Sequence, residues 1–86
     1  MTLTEIGIIV EDTLEVRKIS SGYIVSFRSV DVKEGEGCTS SPYGQGKTKT
    51  AAKKDYAEEL AGQIIVLNPY RYDRLEFQLP PKITIR

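Results

Sequence analysis

The sequence predicts an α+β domain: an antiparallel sheet of four to five strands with one helix packed across one face. Three observations predict it. Only one stretch, 49–61, combines helix-forming residues with a start and a stop signal, Thr48 and Gly62. Two runs that alternate apolar and polar side chains, 14–19 and 23–30, flank the turn residues Ser20-Ser21-Gly22, the pattern of a β-hairpin. Two more strand-like runs, 63–67 and 75–79, follow the helix. The 86 residues make one domain, 1–86, of a size that buries only about two-thirds of its unfolded surface.

Taken in order, residues 5–10 (EIGIIV) are apolar and β-branched around Gly7. That composition disfavours helix and predicts a strand; a short helix through Leu3, Ile6 and Val10 is the alternative. Asp12-Thr13 turns the chain. In the hairpin, Leu14 and Val16 oppose Glu15 and Arg17, and Tyr23, Val25 and Phe27 share one face. Val30 and Val32 then fall on the other parity, which predicts a bulge or the end of the strand near Ser29. The stretch 31–46 holds four glycines and one proline. It predicts a long loop with a brief strand at 38–41. Cys38 reads as a small half-buried residue.

Thr48 has the hydroxyl of a good N-cap. Ala52, Tyr56 and Leu60 recur every four residues and form the buried stripe of helix 49–61. Gly62 suits the left-handed position that ends a helix. Residues 63–67 (QIIVL) predict a buried strand, Asn68-Pro69 a turn, and Leu75, Phe77 and Leu79 a last alternating strand before Pro80-Pro81. The expected core is Val25, Phe27, Ala52, Tyr56, Leu60, Ile65 and Leu75 or Phe77. Open edges at 5–10 or 82–86 would support a homodimer.

Composition excludes several functions. With 40% hydrophobic and 28% charged residues the chain is too apolar to be disordered. It contains no histidine and one cysteine, so neither a zinc site of the usual kind nor a Ser-His-Asp or Cys-His arrangement can be assembled within it. No carboxylates are paired for acid–base work. The expectation is a non-enzymatic protein with no catalytic residues, metal or cofactor. No apolar run approaches the ~20 residues of a membrane span, and the N-terminus lacks the basic region of a signal peptide. A cytoplasmic location is expected.

Net charge is zero but unevenly placed: residues 1–37 carry seven acids and four bases, and residues 38–86 carry eight bases and five acids. Four of those bases are Lys47, Lys49, Lys53 and Lys54, at the start of the helix. The helix dipole prefers anions there, so structure alone does not ask for them. They suit an anionic partner such as phosphate. In the turn 67–74 (LNPYRYDR), Tyr70 and Tyr72 with Arg71 and Arg74 either stack on bases and touch phosphates or cover a sheet edge as amphipathic turn residues. The tentative nucleic-acid-binding set is therefore Lys47, Lys49, Lys53, Lys54, Arg71 and Tyr72. Gly46-Lys47-Thr48 also ends like the phosphate loop GxxxxGK[ST]. Its first glycine is replaced by Ser41, and a glycine turn feeding an N-cap accounts for the same residues.

Two resemblances extend this reading. Gly44, Gly46, Thr48, Lys49, Ala52 and Lys53 form G-x-G-x-T-K-x-x-A-K, which resembles the last strand and helix of double-stranded RNA-binding domains. That likeness implies a β-β-β-α core, with lysines at the helix start reaching phosphates. Here Thr50 replaces the middle lysine, a predicted strand replaces the family's first helix, and the 20–22 turn is too short to reach a second minor groove. The order hairpin, glycine turn, helix, then Asp55, Tyr56, Ala57, Leu60, Gly62 and Val66, then Arg74, Glu76 and Pro80, is similar to small uncharacterised phage- and prophage-encoded proteins. That likeness implies an accessory or host-interaction role without a reaction. The expected function is a small binding protein working through contacts with another protein; the alternative is a nucleic-acid-binding module that uses the lysines.

Overall fold

A computed structural model describes residues 1–35, 38–68 and 71–85. The fold is α+β, but among the described residues it has two helices and two antiparallel sheets where one of each was expected.

The first difference lies at 5–10, which is helical. Helix α1 spans Leu3–Val10. A reciprocal cap starts it: the Glu5 N–H donates to Thr2 Oγ1 at 3.1 Å, and the Thr2 N–H donates to Glu5 Oε1 at 3.0 Å. This capping box satisfies two orphan donors of the first turn. Leu3 and Ile6 are buried, and the β-branched pair that suggested a strand, Ile8 and Ile9, faces outward. Glu11, in the left-handed region at φ 55, ends the helix.

Strands β1 (Leu14–Ile19) and β2 (Gly22–Phe27) form the hairpin, in the register Leu14↔Phe27 to Ile19↔Gly22. β2 also pairs with β5 (Gly44–Gly46), giving a three-stranded sheet of order β1-β2-β5. Helix α2 (Lys49–Leu60) packs on β2 and β5 and completes a β-β-β-α core.

The second sheet begins where the parity slips. β2 ends at Phe27, and the Ser29 N–H and hydroxyl bond Asp12 Oδ2 at 2.9 and 3.1 Å. Val30 and Val32 then turn their new parity into the core. β3 (Asp31–Lys33), β4 (Thr39–Ser40), β6 (Ile64–Leu67) and β7 (Leu75–Gln78) pair in the order β4-β3-β6-β7. The brief strand expected at 38–41 is β4. Cys38 is exposed rather than half-buried.

Thr48 caps α2 as expected, accepting the Ala51 N–H at 3.0 Å, and Gly62 stands at φ 74. Val25, Phe27, Ala52, Tyr56, Leu60 and Ile65 are buried as expected, but Leu75 and Phe77 are exposed. Leu79 fills that place instead, its N–H donating to Gln63 O at 2.8 Å. In the C-terminal segment 82–86, expected as a possible free edge, Thr84 bridges Thr2 and the Leu3 N–H donates to Thr84 O at 2.9 Å; Arg86 lies outside the described residues.

Asp12, just after α1, ties the residue before β1 to the segment that follows β2. Its Oδ1 accepts the Thr13 N–H at 2.8 Å and its Oδ2 holds Ser29. Burial alone would raise this carboxyl, but the bonds from Ser29 and Thr13 outweigh it and hold the group below its ordinary value. The folded-state value lies below the unfolded one. The clip's contribution is therefore complete above the unfolded value and lost as pH falls through the folded one. Asp12→Asn is expected to cost about 1 kcal/mol at neutral pH and to flatten the acid limb of stability as pH falls through and below the ordinary carboxylate range. Urea titrations across that range, with wild type alongside, check it; parallel acid limbs would refute the clip.

Candidate functional site

The glycine- and lysine-rich stretch 43–62 resolves into a strand crossing beneath a helix. Gly44 and Gly46 lie in β5 against the backbone of α2. A Cβ added at Gly44 would come within 2.5 Å of Tyr56 Cβ and closer still to Ala52 O. One at Gly46 would come within 2.6 Å of Ala52 N and 2.7 Å of Ala51 C. Small residues on both elements, Gly44, Gly46 and Ala52, permit this approach. The glycines thus serve helix–strand packing. Between them the Gln45 N–H donates to Asp55 Oδ2 at 2.9 Å. Asp55 therefore ties strand to helix and does not merely face solvent.

Tyr56 is fully buried with its ring 5.8 Å from that of Phe27. Its hydroxyl lies inside the core rather than at the rim, accepting the Phe27 N–H at 3.1 Å. Burial pushes the phenol up to about 12, against a smaller opposing effect of the Phe27 bond. A phenol so held is a structural acceptor at neutral pH, not a proton donor to a substrate.

The lysines stand around the start of α2, whose first turn has no acidic residue. Lys47, Lys49 and Lys54 are exposed and Lys53 is half-buried. The Lys49 ammonium lies 5.8 Å from the Tyr23 ring centroid, within cation–π range. Lys53 lines a groove with Leu3, Gly7, Leu14, Val16 and Phe27, whereas Lys54 lines another with Ala57, Pro81 and Ile83. Among the described residues, none of the four makes an ion pair; Arg28, Lys33, Arg71 and Arg74 do.

Arg71 and Tyr72 belong to the turn between β6 and β7, on the four-stranded sheet, while Lys47 precedes α2 and the other three lysines lie in α2, which packs on the three-stranded one. Arg71 pairs with Asp73 at 3.3 Å, and Tyr72 is fully exposed. Tyr70 lies outside the described residues. On the same sheet Glu76 accepts from Lys33 Nζ at 3.1 Å and from Arg74 Nη2 at 3.0 Å. The Lys33 bond, seconded by Arg74, holds its carboxyl below the ordinary value. Among the described residues no three metal-ligating side chains cluster, and no helix is long and apolar enough to cross a membrane.

The feature missed from the sequence is the apolar surface of β7. Cross-strand pairing places Val32, Ile65 and Phe77 in one row and Leu67 beside Leu75 on the same face. Val32 and Ile65 are buried, but Phe77 is 39% and Leu75 61% exposed. The core thus continues out to an edge strand, since among the described residues β7 pairs only with β6. The alternation of 75–79 is visible in the sequence; that Leu75 and Phe77 are left exposed is not.

The fold and this surface define a small α+β protein with an apolar sheet edge and a separate group of lysines that make no ion pair among the described residues. Compared with protein-family models, curated proteins and solved structures, the chain matches none of them.

Proposed function

We propose that this chain is a small non-enzymatic binding protein that works by contact with another protein, in the accessory or host-interaction role implied by its likeness to phage- and prophage-encoded proteins. The observation that carries the reading is the β7 edge. Edge strands are usually blunted by charge, proline or a covering element. Here Leu75 and Phe77 extend the buried Val32–Ile65 row to the surface, and apolar patches rimmed by polar residues mark interaction sites. Arg71 and Asp73 on the adjoining turn give this surface a polar border, while Glu76, held by Lys33 and Arg74, makes the opposite face of the sheet polar. The exposed free thiol of Cys38 suits a reducing cytoplasm.

The test is affinity capture from a host extract with the intact chain and with the double variant Leu75→Glu, Phe77→Glu. Both side chains are exposed, so the variant keeps its fold by circular dichroism. Wild type is expected to retain a defined protein and the variant to lose it. Retention of nucleic acid without any protein would overturn the reading.

A second reading, a nucleic-acid-binding module, is favoured by a separate observation: Lys47, Lys49, Lys53 and Lys54 stand unpaired at a helix start without acids. In it the lysines neutralise phosphates. Arg71 and Tyr72 contribute little, because Arg71 already faces Asp73.

A further inference from the structure

Strand β1 is the outer strand of the three-stranded sheet and, among the described residues, pairs only with β2. The backbone groups on its free side can be assigned. The Phe27 N–H donates to the Tyr56 hydroxyl, so Leu14↔Phe27 is a pair without backbone bonds. In an antiparallel ladder bonded and unbonded pairs alternate. Glu15, Arg17 and Ile19 therefore bond β2, while the N–H and C=O groups of Leu14, Val16 and Lys18 point out of the sheet. Neither proline nor a bulge interrupts this edge; the register runs unbroken from Leu14 to Ile19.

We infer that this edge pairs with the same edge of a second copy of the chain, antiparallel, about a two-fold axis at Val16. A two-fold axis that joins two like edges runs perpendicular to the sheet and pairs residues of the same face, so it must pass through a residue of the strand. Centred on Leu14 or Ile19, the two ends of β1, it would run half of the pairing off the strand; centred on Glu15, Arg17 or Lys18, it would set two like charges directly opposite each other. Centred on Val16, it sets Val16 against Val16 of the second copy and Glu15 against Arg17 twice. Leu14 then meets Lys18, whose stem can lie along it. Opposite charges across a ladder stabilise it and like charges destabilise it.

Two features of the single chain fit this occupant. Arg17 makes no ion pair among the described residues, and Glu15 of the second copy supplies one. Val16 is 37% and Ile8 72% exposed, and both line the groove of about 530 Å³ beside the edge. The second strand would cover that apolar ground. The edge at β1 is distinct from the β7 surface, so the two readings fail independently.

Sedimentation of the full chain across micromolar concentrations tests the inference. A species of twice 9.6 kDa is expected. Val16→Pro removes an outward N–H and leaves the bonds to β2 in place, so it should give a folded monomer. Glu15→Arg or Arg17→Glu alone should weaken the dimer about tenfold or more, and the two together should restore it. The exposed Glu15–Arg28 pair, 3.1 Å apart, is worth little by itself and does not affect this readout. A wild-type monomer at high micromolar concentration would overturn the inference. So would a folded Val16→Pro dimer, single charge variants that stay dimeric, or a double variant that fails to recover. A monomer that instead binds an extended peptide from another protein at β1 would overturn it too. The Leu75→Glu, Phe77→Glu variant should remain a dimer.

Discussion

Gly44→Ala is expected to destabilise this protein by about 3 kcal/mol or more and to lower its Tm by about 15 °C or more. The added methyl would fall on backbone and Cβ atoms: Ala52 O, Tyr56 N and Tyr56 Cβ. None is the far end of a flexible side chain, so relief requires moving α2 off β5. Moving α2 also breaks the Gln45–Asp55 bond and draws Tyr56 from its place over Phe27. A chain of this length has about 4–13 kcal/mol of total stability, so the loss reaches every element. Gln45→Ala, between the two glycines with an exposed side chain, is the control and should cost under about 0.5 kcal/mol. Thermal melts of the two variants decide the matter. A Gly44→Ala melt within a few degrees of wild type would mean that α2 does not seat on β5 as described.

Tyr56→Ala is expected to cost about 3–5 kcal/mol, the range for removing a buried aromatic ring. Tyr56→Phe separates the hydroxyl from the ring. It keeps the contact with Phe27 but leaves the buried Phe27 N–H, now donating at 3.1 Å, without an acceptor. That loss costs about 1–3 kcal/mol. The phenol also sets an alkaline limit. Its folded-state value is about 12 against an ordinary 10. The folded state therefore holds the proton more tightly. Its contribution is complete below pH 10 and falls away as pH rises through about 12. Wild type should lose roughly 2–3 kcal/mol over that interval from this group, and Tyr56→Phe should lose correspondingly less. Urea unfolding at pH 8, 10 and 11.5 reads the difference; equal alkaline losses in the two proteins would place the hydroxyl in solvent.

Much of this core was legible because its signals are local. Thr48, the Ala52–Tyr56–Leu60 stripe and Gly62 mark one helix without reference to the rest of the chain. The hairpin followed from two alternating runs and a short turn. The change of parity at Val30 was legible too. Of the two outcomes that change allowed, a bulge or the end of the strand, β2 ends; that a second sheet then begins was not legible, nor was the Asp12–Ser29 clip beside it, which joins residues 17 apart. Helix α1 was misjudged because β propensity outweighed a capping box that Thr2 and Glu5 display in the sequence. The glycines of β5 suggested a turn or a ligand loop, since only three dimensions show α2 pressed against them. Alternation alone points to Leu75 or Phe77 as a core residue, yet both are exposed. Alternation fixes which side chains share a face, but not whether anything covers that face.

The two functional readings separate at the lysines. If contact with a protein through the β7 edge is the working mode, Lys47, Lys49, Lys53 and Lys54 are a solvated cluster whose charges keep the chain dispersed. If nucleic acid is the partner, they carry the affinity, and binding must fall steeply with salt. The measurement that tests the account most directly is therefore binding to duplex RNA, duplex DNA and single strands across a salt series, with wild type beside Lys49→Glu, Lys53→Glu. The account predicts weak, unsaturated retention that vanishes by physiological salt and no difference in host-protein capture between the two. Saturable binding that survives physiological salt and is lost in the lysine variant would contradict it.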